Sequence, residues 1–203
     1  MVKNIGQPPI SQIAWNSLFG NTIPWSNIYK IPYEVTYDTK LQSFQYKILL
    51  RIFPCNWYVS KFDPDVEEDC TFCDDSVDDI CHYFFDCHEC REFWKVLEHW
   101  IGRKLSIDET TSIFNRKNII LGYHPHPSPV PDNKIVINMI ILHAKWYIYT
   151  KKINKSTTLQ APVFLRSLQS IFETHLTIAR HQSSSDSIQK LSAIGHLFDN
   201  QQL

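Results

Sequence analysis

Five of the six cysteines fall in one string, CTFCDDSVDDICHYFFDCHEC, residues 70–90. This clustering constrains the fold more than any other feature. A disulfide framework spreads its cysteines to staple distant segments, whereas a metal site needs two close pairs of ligands that converge on one ion. Cys70 and Cys73 form a C-x2-C knuckle, a turn whose two thiolates grip one side of a tetrahedral zinc. Two second halves are chemically sound. His82 and Cys87 give C-x2-C-x8-H-x4-C, and Cys87 and Cys90 give C-x2-C-x13-C-x2-C; spacing alone does not choose between them. Thiolate with imidazole suits zinc, and four protein ligands leave no position for water, so the metal is structural rather than catalytic. Cys81, next to His82, is read as a packing or exposed thiol, and His88 as a spare.

The metal reading needs reduced thiols, and the sequence agrees. Residues Met1 to Ile10 carry no basic segment leading into a hydrophobic one, and no stretch of 18 apolar residues occurs, so neither a signal peptide nor a membrane span is expected. A cytoplasmic or nuclear location follows. Only 5 Gly stand against 11 Pro, with no glycine-rich phosphate loop of either common spacing. Phe72-Cys73-Asp74-Asp75 has the look of the aromatic-x-Asp-Asp turn of polymerases. Those carboxylates, however, sit on a hairpin of apolar strands, and this loop is hydrophilic with its cysteine already used. Asp74, Asp75, Asp78 and Asp79 are therefore read as a solvated loop, and no enzymatic activity is expected.

The net charge of −1 conceals unlike parts. Residues 1–61 carry six Lys/Arg and two acids, residues 62–133 six and sixteen, and residues 134–203 eight and three. No acidic residue occurs between Asn133 and Phe172, where Lys134, Lys145, Lys151, Lys152, Lys155 and Arg166 alternate with Trp146, Tyr147 and Tyr149. Cations that release phosphate counterions, together with rings that stack on unpaired bases, are what a nucleic-acid surface requires. Lys145, Lys151, Lys152 and Lys155 are the expected contacts with RNA or DNA.

Periodicity predicts a mostly α protein, a small helical bundle with an embedded CCHC zinc knuckle. Short helices and turns surround Trp15, Trp25 and Tyr29. An amphipathic helix spans residues 38–53, capped by Asp38 and closed by Pro54, with Lys40, Lys47 and Arg51 on its solvated face. A second runs from Asp86 to Ile101, with Gly102 as its stop. The longest starts at Asp132 as N-cap and ends among lysines, with Asn138, His143 and Lys145 interrupting its apolar run; His143 is read as a satisfied polar group in a helix contact. A last helix opens near Pro162 and ends before Ser183. The expected organisation is 1–104 (helices and knuckle, ligands 70–87), 105–131 (proline-rich connector ending in HPHPSPVP), 132–182 (basic, aromatic helical hairpin) and 183–203 (mobile tail). His124 and His126 are read as exposed loop.

The order TKLQSFQYKILLRIF, CTFC, ICHYFFDC, REFWKVLEHWI, KNIILG, INMIILHAKWYIYTKK resembles the C-terminal region of non-long-terminal-repeat (LINE-type) retrotransposon reverse transcriptases, the part containing their zinc-binding domain. The similarity covers residues 15 to 180. Its most specific elements are the knuckle, then His82, Phe84 and Cys87, then a helix carrying Phe93 and Trp94, with Ala144 to Tyr149 adding to it. The resemblance implies Cys70, Cys73, His82 and Cys87 as zinc ligands, and a grip on template RNA or target DNA beside a polymerase, with no chemistry of its own. The chain departs from the family in having Asp78-Asp79 where an acid followed by Thr or Ser is usual, and in offering Cys81 and Cys90 as extra thiols. Nothing resembles a palm, fingers or endonuclease, so the chain is expected to be a separated tail or remnant of such an element. The rival expectation is a zinc-stapled protein-interaction module, or an inert remnant, presenting aromatics such as Trp100 or Tyr123.

Overall fold

The computed structural model describes residues 7–73, 76–105, 112–124, 131–156, 158–181 and 197, without the side chains of Pro131 and Asp132. In chain order the helices are α1 (Ile10–Phe19), α2 (Trp25–Ile28), α3 (Ile31–Val35), α4 (Thr39–Leu49), α5 (Asn56–Val59), a π turn (His82–Asp86), α6 (His88–Leu105), α7 (Arg116–Leu121), α8 (Pro131–Ile153) and α9 (Ala161–His181). Among the described residues extended pairing is limited to one isolated antiparallel bridge, Asp69 with Val77. The molecule is mostly helical, as its periodicity predicts.

Helix α8 is the axis of the bundle. Residues Val136 to Lys145 are buried in sequence, on every side of the helix, because α3, α4 and α9 all pack against it. Its polar interruptions are absorbed by specific partners. The Asn138 side-chain oxygen accepts from the Tyr123 backbone N–H at 2.7 Å, and its amide donates to the Tyr123 carbonyl at 2.8 Å. That two-pronged bond pins the turn after α7 to α8. Gly122 in this turn has φ +106°, and a Cβ there would meet Ile31 at 2.6 Å, so both conformation and space demand glycine.

Helix α4 is capped as expected, with the Asp38 carboxylate accepting from the Lys40 N–H at 2.8 Å. Its end is built without glycine. Arg51 takes φ 60°, its N–H bonds the Ile48 carbonyl and the Ile52 N–H reaches back to Lys47, the paired bonds of a Schellman motif. The Arg51 guanidinium lies 4.6 Å above the Trp15 ring, which offsets the left-handed backbone. Helix α8 ends the same way: Lys155 has φ 51° and bonds Lys152, while Ser156 bonds Lys151.

Three expectations are corrected. Helix α6 runs through Gly102 to Leu105, since its buried face (Phe93, Trp94, Leu97, Trp100, Ile101) is held by tertiary packing and one interior glycine costs only about 1 kcal/mol. The stretch 105–131 is not simply a connector. It contains α7, whose Ile119, Ile120 and Leu121 are buried, behind a turn in which Glu98 accepts from the backbone N–H groups of Ile113 and Phe114. Trp100 is buried rather than displayed, and Tyr123 is half-buried against the core. His124 pairs with Asn27 at 2.8 Å. The Asp132 cap, His126 and most of the HPHPSPVP run, Asp74 and Asp75, and the tail from Ser183 lie outside the described residues except for Leu197, which is buried. No helix among the described residues is long and apolar enough to cross a membrane.

Candidate metal centre

The two halves of the metal cluster are built by different local devices. The knuckle sits at the tip of a tight turn, held where Cys70 N–H bonds the Ser76 carbonyl at 3.0 Å and Asp78 N–H bonds the Glu68 carbonyl at 2.8 Å. Inside the turn the Phe72 N–H points at the Cys70 sulfur, 3.4 Å away, a contact that favours a negative sulfur. His82 and Cys87 are five residues apart, a spacing that an α-helix would turn away from one another. A π turn solves this. The Cys87 N–H bonds the His82 carbonyl at 3.2 Å, so residues i and i+5 come to one side of the turn. Asp79 accepts from the His82 N–H at 2.8 Å and starts the turn, and the Trp94 indole N–H, bonded to the Phe84 carbonyl at 2.7 Å, ties it to α6.

The result brings together Cys70, Cys73, His82 and Cys87, their ligand atoms all within 4.8 Å of one another. Zn–S bonds of about 2.3 Å at tetrahedral angles set two sulfurs about 3.8 Å apart. The Cys70 and Cys87 sulfurs are 4.0 Å apart, and the Cys73 sulfur lies 3.4 Å from His82 Nε2, so the donor set fits one zinc ion. The alternative second half does not close. Cys90 lies outside the four-atom group, and its thiol donates to the Tyr83 carbonyl at 3.4 Å. Cys81 is buried and faces a cavity of about 540 Å³ shared with Trp15 and Cys55, and burial pushes the Cys81 thiol up to about 12 and that of Cys55 to about 11. The Cys70 thiol is also pushed up to about 12, by its contact with Cys87 and then by burial, against the pull of Lys152.

That lysine is the component sequence reasoning placed elsewhere. Lys152, from the last turn of α8, is 4% exposed. Its ammonium donates to the Cys70 sulfur at 3.2 Å and to Asp78 Oδ1 at 2.6 Å, and it lies 3.9 Å from the Tyr83 ring centre. Burial pulls its pKa down, but the charges of Asp78 and Cys70 outweigh this and raise it. Zinc with three thiolates and one neutral imidazole carries a net negative charge, which an ammonium against one sulfur offsets in a low-dielectric setting. Asp78, read as a solvated loop acid, is fully buried, with Oδ2 lacking any hydrogen-bond partner among the described residues. Asp79 is the exposed acid of the pair.

The four basic residues expected on a nucleic acid are thus split. Lys145 and Lys152 are enclosed in the fold, and phosphate cannot reach them there; this corrects the expectation for both. Lys145 is 1% exposed and donates to the Gln45 side-chain oxygen and to the Ile120 carbonyl, with no carboxylate beside it among the described residues. Burial alone lowers it to about 7. Lys151 is half-buried with its ammonium 5.4 Å from the Tyr147 ring centre, and Lys155 is exposed in the turn after α8. His143 does lie in a helix contact, beside His175 of α9, but its Nε2 has no hydrogen-bond partner among the described residues, and burial lowers it to about 4.

No curated protein and no solved structure matches the chain. The family model described as zinc-binding in reverse transcriptase matches residues 10–94, a span that contains all four residues of the cluster and stops short of α8. Residues 10–94 are thus similar to the zinc-binding region of reverse transcriptases, with a Cys3His cluster able to hold one zinc ion.

Proposed function

We propose that this chain is a non-catalytic, zinc-stabilised nucleic-acid-binding fragment of a LINE-type reverse transcriptase, contacting template RNA or target DNA beside the polymerase part of the element. The observation that carries the reading is the closed donor set Cys70, Cys73, His82 and Cys87, lying inside the segment similar to the zinc-binding region of reverse transcriptases. A sulfur-rich site with four protein donors has no position for substrate or water, so its zinc would cross-link the knuckle, the π turn and, through Lys152, α8. That is a scaffold for a binding surface, used in the cytoplasm or nucleus where such elements are copied. Of the C-terminal lysines, Lys151 and Lys155 are the ones the fold leaves within reach of phosphate.

The test is fluorescence anisotropy of zinc-loaded protein with single-stranded RNA, structured RNA and duplex DNA across a salt series. Saturable binding whose logarithm falls linearly with the logarithm of salt is the expected result. Absence of binding at low salt would leave the zinc cluster explaining only the fold, as in a protein-interaction module or an inert remnant.

A further inference from the structure

We propose that the groove between α4 and α8 holds an unpaired segment of nucleic acid, with Trp146 and Tyr149 as the stacking wall and Lys40 and Lys47 as the phosphate contacts. The inference rests on the nucleic-acid reading above and gives it a place and a ligand class. The groove, a cavity of about 330 Å³, is lined by Thr39, Lys40, Ser43 and Lys47 of α4 and by Trp146 and Tyr149 of α8, with the aromatic residues Phe44 and Phe53 at its base. No carboxylate lines it.

Its cations are available where those of α8 are not. Lys40 and Lys47 are exposed, and neither forms an ion pair among the described residues. They stand on one face of α4, about 10 Å apart along the helix axis, with the Ser43 hydroxyl between them. The aromatic run of α8 divides between two faces. Tyr147 turns to α6 and α9, stacked on Phe93 at 5.7 Å, and is used up in the core. Trp146 and Tyr149 turn to α4 and remain half-buried. Phe44 meets Trp146 edge-on at 5.2 Å, and Trp146 and Tyr149 are 5.3 Å apart, so both rings are held in place while part of their surface stays open to the groove. A base stacked on such a ring must be free of a pairing partner on that side, and paired cations beside the rings follow the backbone. Duplex DNA offers phosphates but no free ring faces, so the groove selects single strands.

The experiment uses the full, zinc-loaded chain with fluorescein-labelled oligouridylate, oligothymidylate and a hairpin duplex across a salt series, and compares K40Q/K47Q and W146F with the unaltered protein. The two lysines are exposed and unpaired, so their replacement leaves the thermal transition in place, which is checked first. Expected are tighter binding of both single strands than of the duplex, a salt slope shallower by about 1.4 in K40Q/K47Q, and a loss of part of the tryptophan quenching in W146F. If the unaltered protein binds and the slope of K40Q/K47Q is unchanged, the groove is overturned while the nucleic-acid reading stands. Preference for the duplex overturns the stacking role. If the unaltered protein binds no probe at low salt, the nucleic-acid reading itself falls and takes the groove with it.

Discussion

Lys145 and Lys152 lie seven residues apart on one side of α8, both almost free of solvent, and their surroundings are opposite. Lys152 is enclosed by Asp78, the Cys70 sulfur and the Tyr83 ring, so its charge is answered and its pKa is raised. Lys145 meets only the neutral oxygens of Gln45 and Ile120, so burial goes unanswered and its pKa falls to about 7. The same residue type in the same helix is thus a charge anchor at one end and a strained polar insertion in the middle. Burial sets the cost of a charge, and the neighbouring anion decides whether that cost is recovered.

The largest test of this contrast is zinc removal. A structural zinc contributes on the order of 10 kcal/mol to folding. Chelation with EDTA is expected to abolish amide-exchange protection first in the knuckle, the π turn and the end of α8 around Lys152, while the Lys145 segment, held by α3, α4 and α9, keeps protection longest. Simultaneous loss along all of α8 would show that the two lysines belong to one cooperative unit and would break the contrast.

Next in size is K152M. It leaves Asp78 buried without its cation, and breaking a buried pair from one side costs about 3–5 kcal/mol. Denaturant unfolding should show that loss, with most of it recovered in the double variant D78N/K152M. If the double variant is as unstable as the single, the ammonium acts mainly on the Cys70 sulfur.

K145M should reveal a dependence on pH that K152M lacks. The unfolded chain holds the Lys145 proton to about pH 10.4, whereas the folded chain releases it above about 7. Between these values the unfolded state binds more protons, so the stability of the natural protein rises with pH relative to K145M, by up to about 1.4 kcal/mol per pH unit. Below pH 7 the burial penalty is present in full, and K145M is expected to be the more stable there. A flat difference between pH 7 and 10 would mean that Lys145 stays charged in the fold. The smallest effect belongs to K151A, in which a half-buried ammonium leaves the Tyr147 ring, at a cost below about 1 kcal/mol. A larger loss would show that the basic end of α8 matters as a whole and not through Lys152 alone.

Much of this molecule is legible in its residues. Asp38 opens α4 as its sequence predicts, because a side-chain carboxylate at an N-cap acts within two residues and needs no tertiary partner. Helix ends were read less well. The glycine expected to stop α6 is passed over, while α4 and α8 end on Arg51 and Lys155 in left-handed conformation, where no composition signal marks a stop. Helix α7 was hidden inside a stretch dominated by its prolines, since six residues are too short for periodicity to speak.

The sequence by itself determined the metal chemistry. Knuckle spacing, thiolate with imidazole, and two ligands five residues apart are local properties, and the π turn only realises a geometry that the spacing requires. The choice of His82 over Cys90 and the separation of buried from exposed cations were decided by tertiary structure alone. A lysine reads the same in sequence whether it faces water or Asp78, because its partner comes from 74 residues away. Charge patterning describes a chain, and only packing says which of its charges reach the surface.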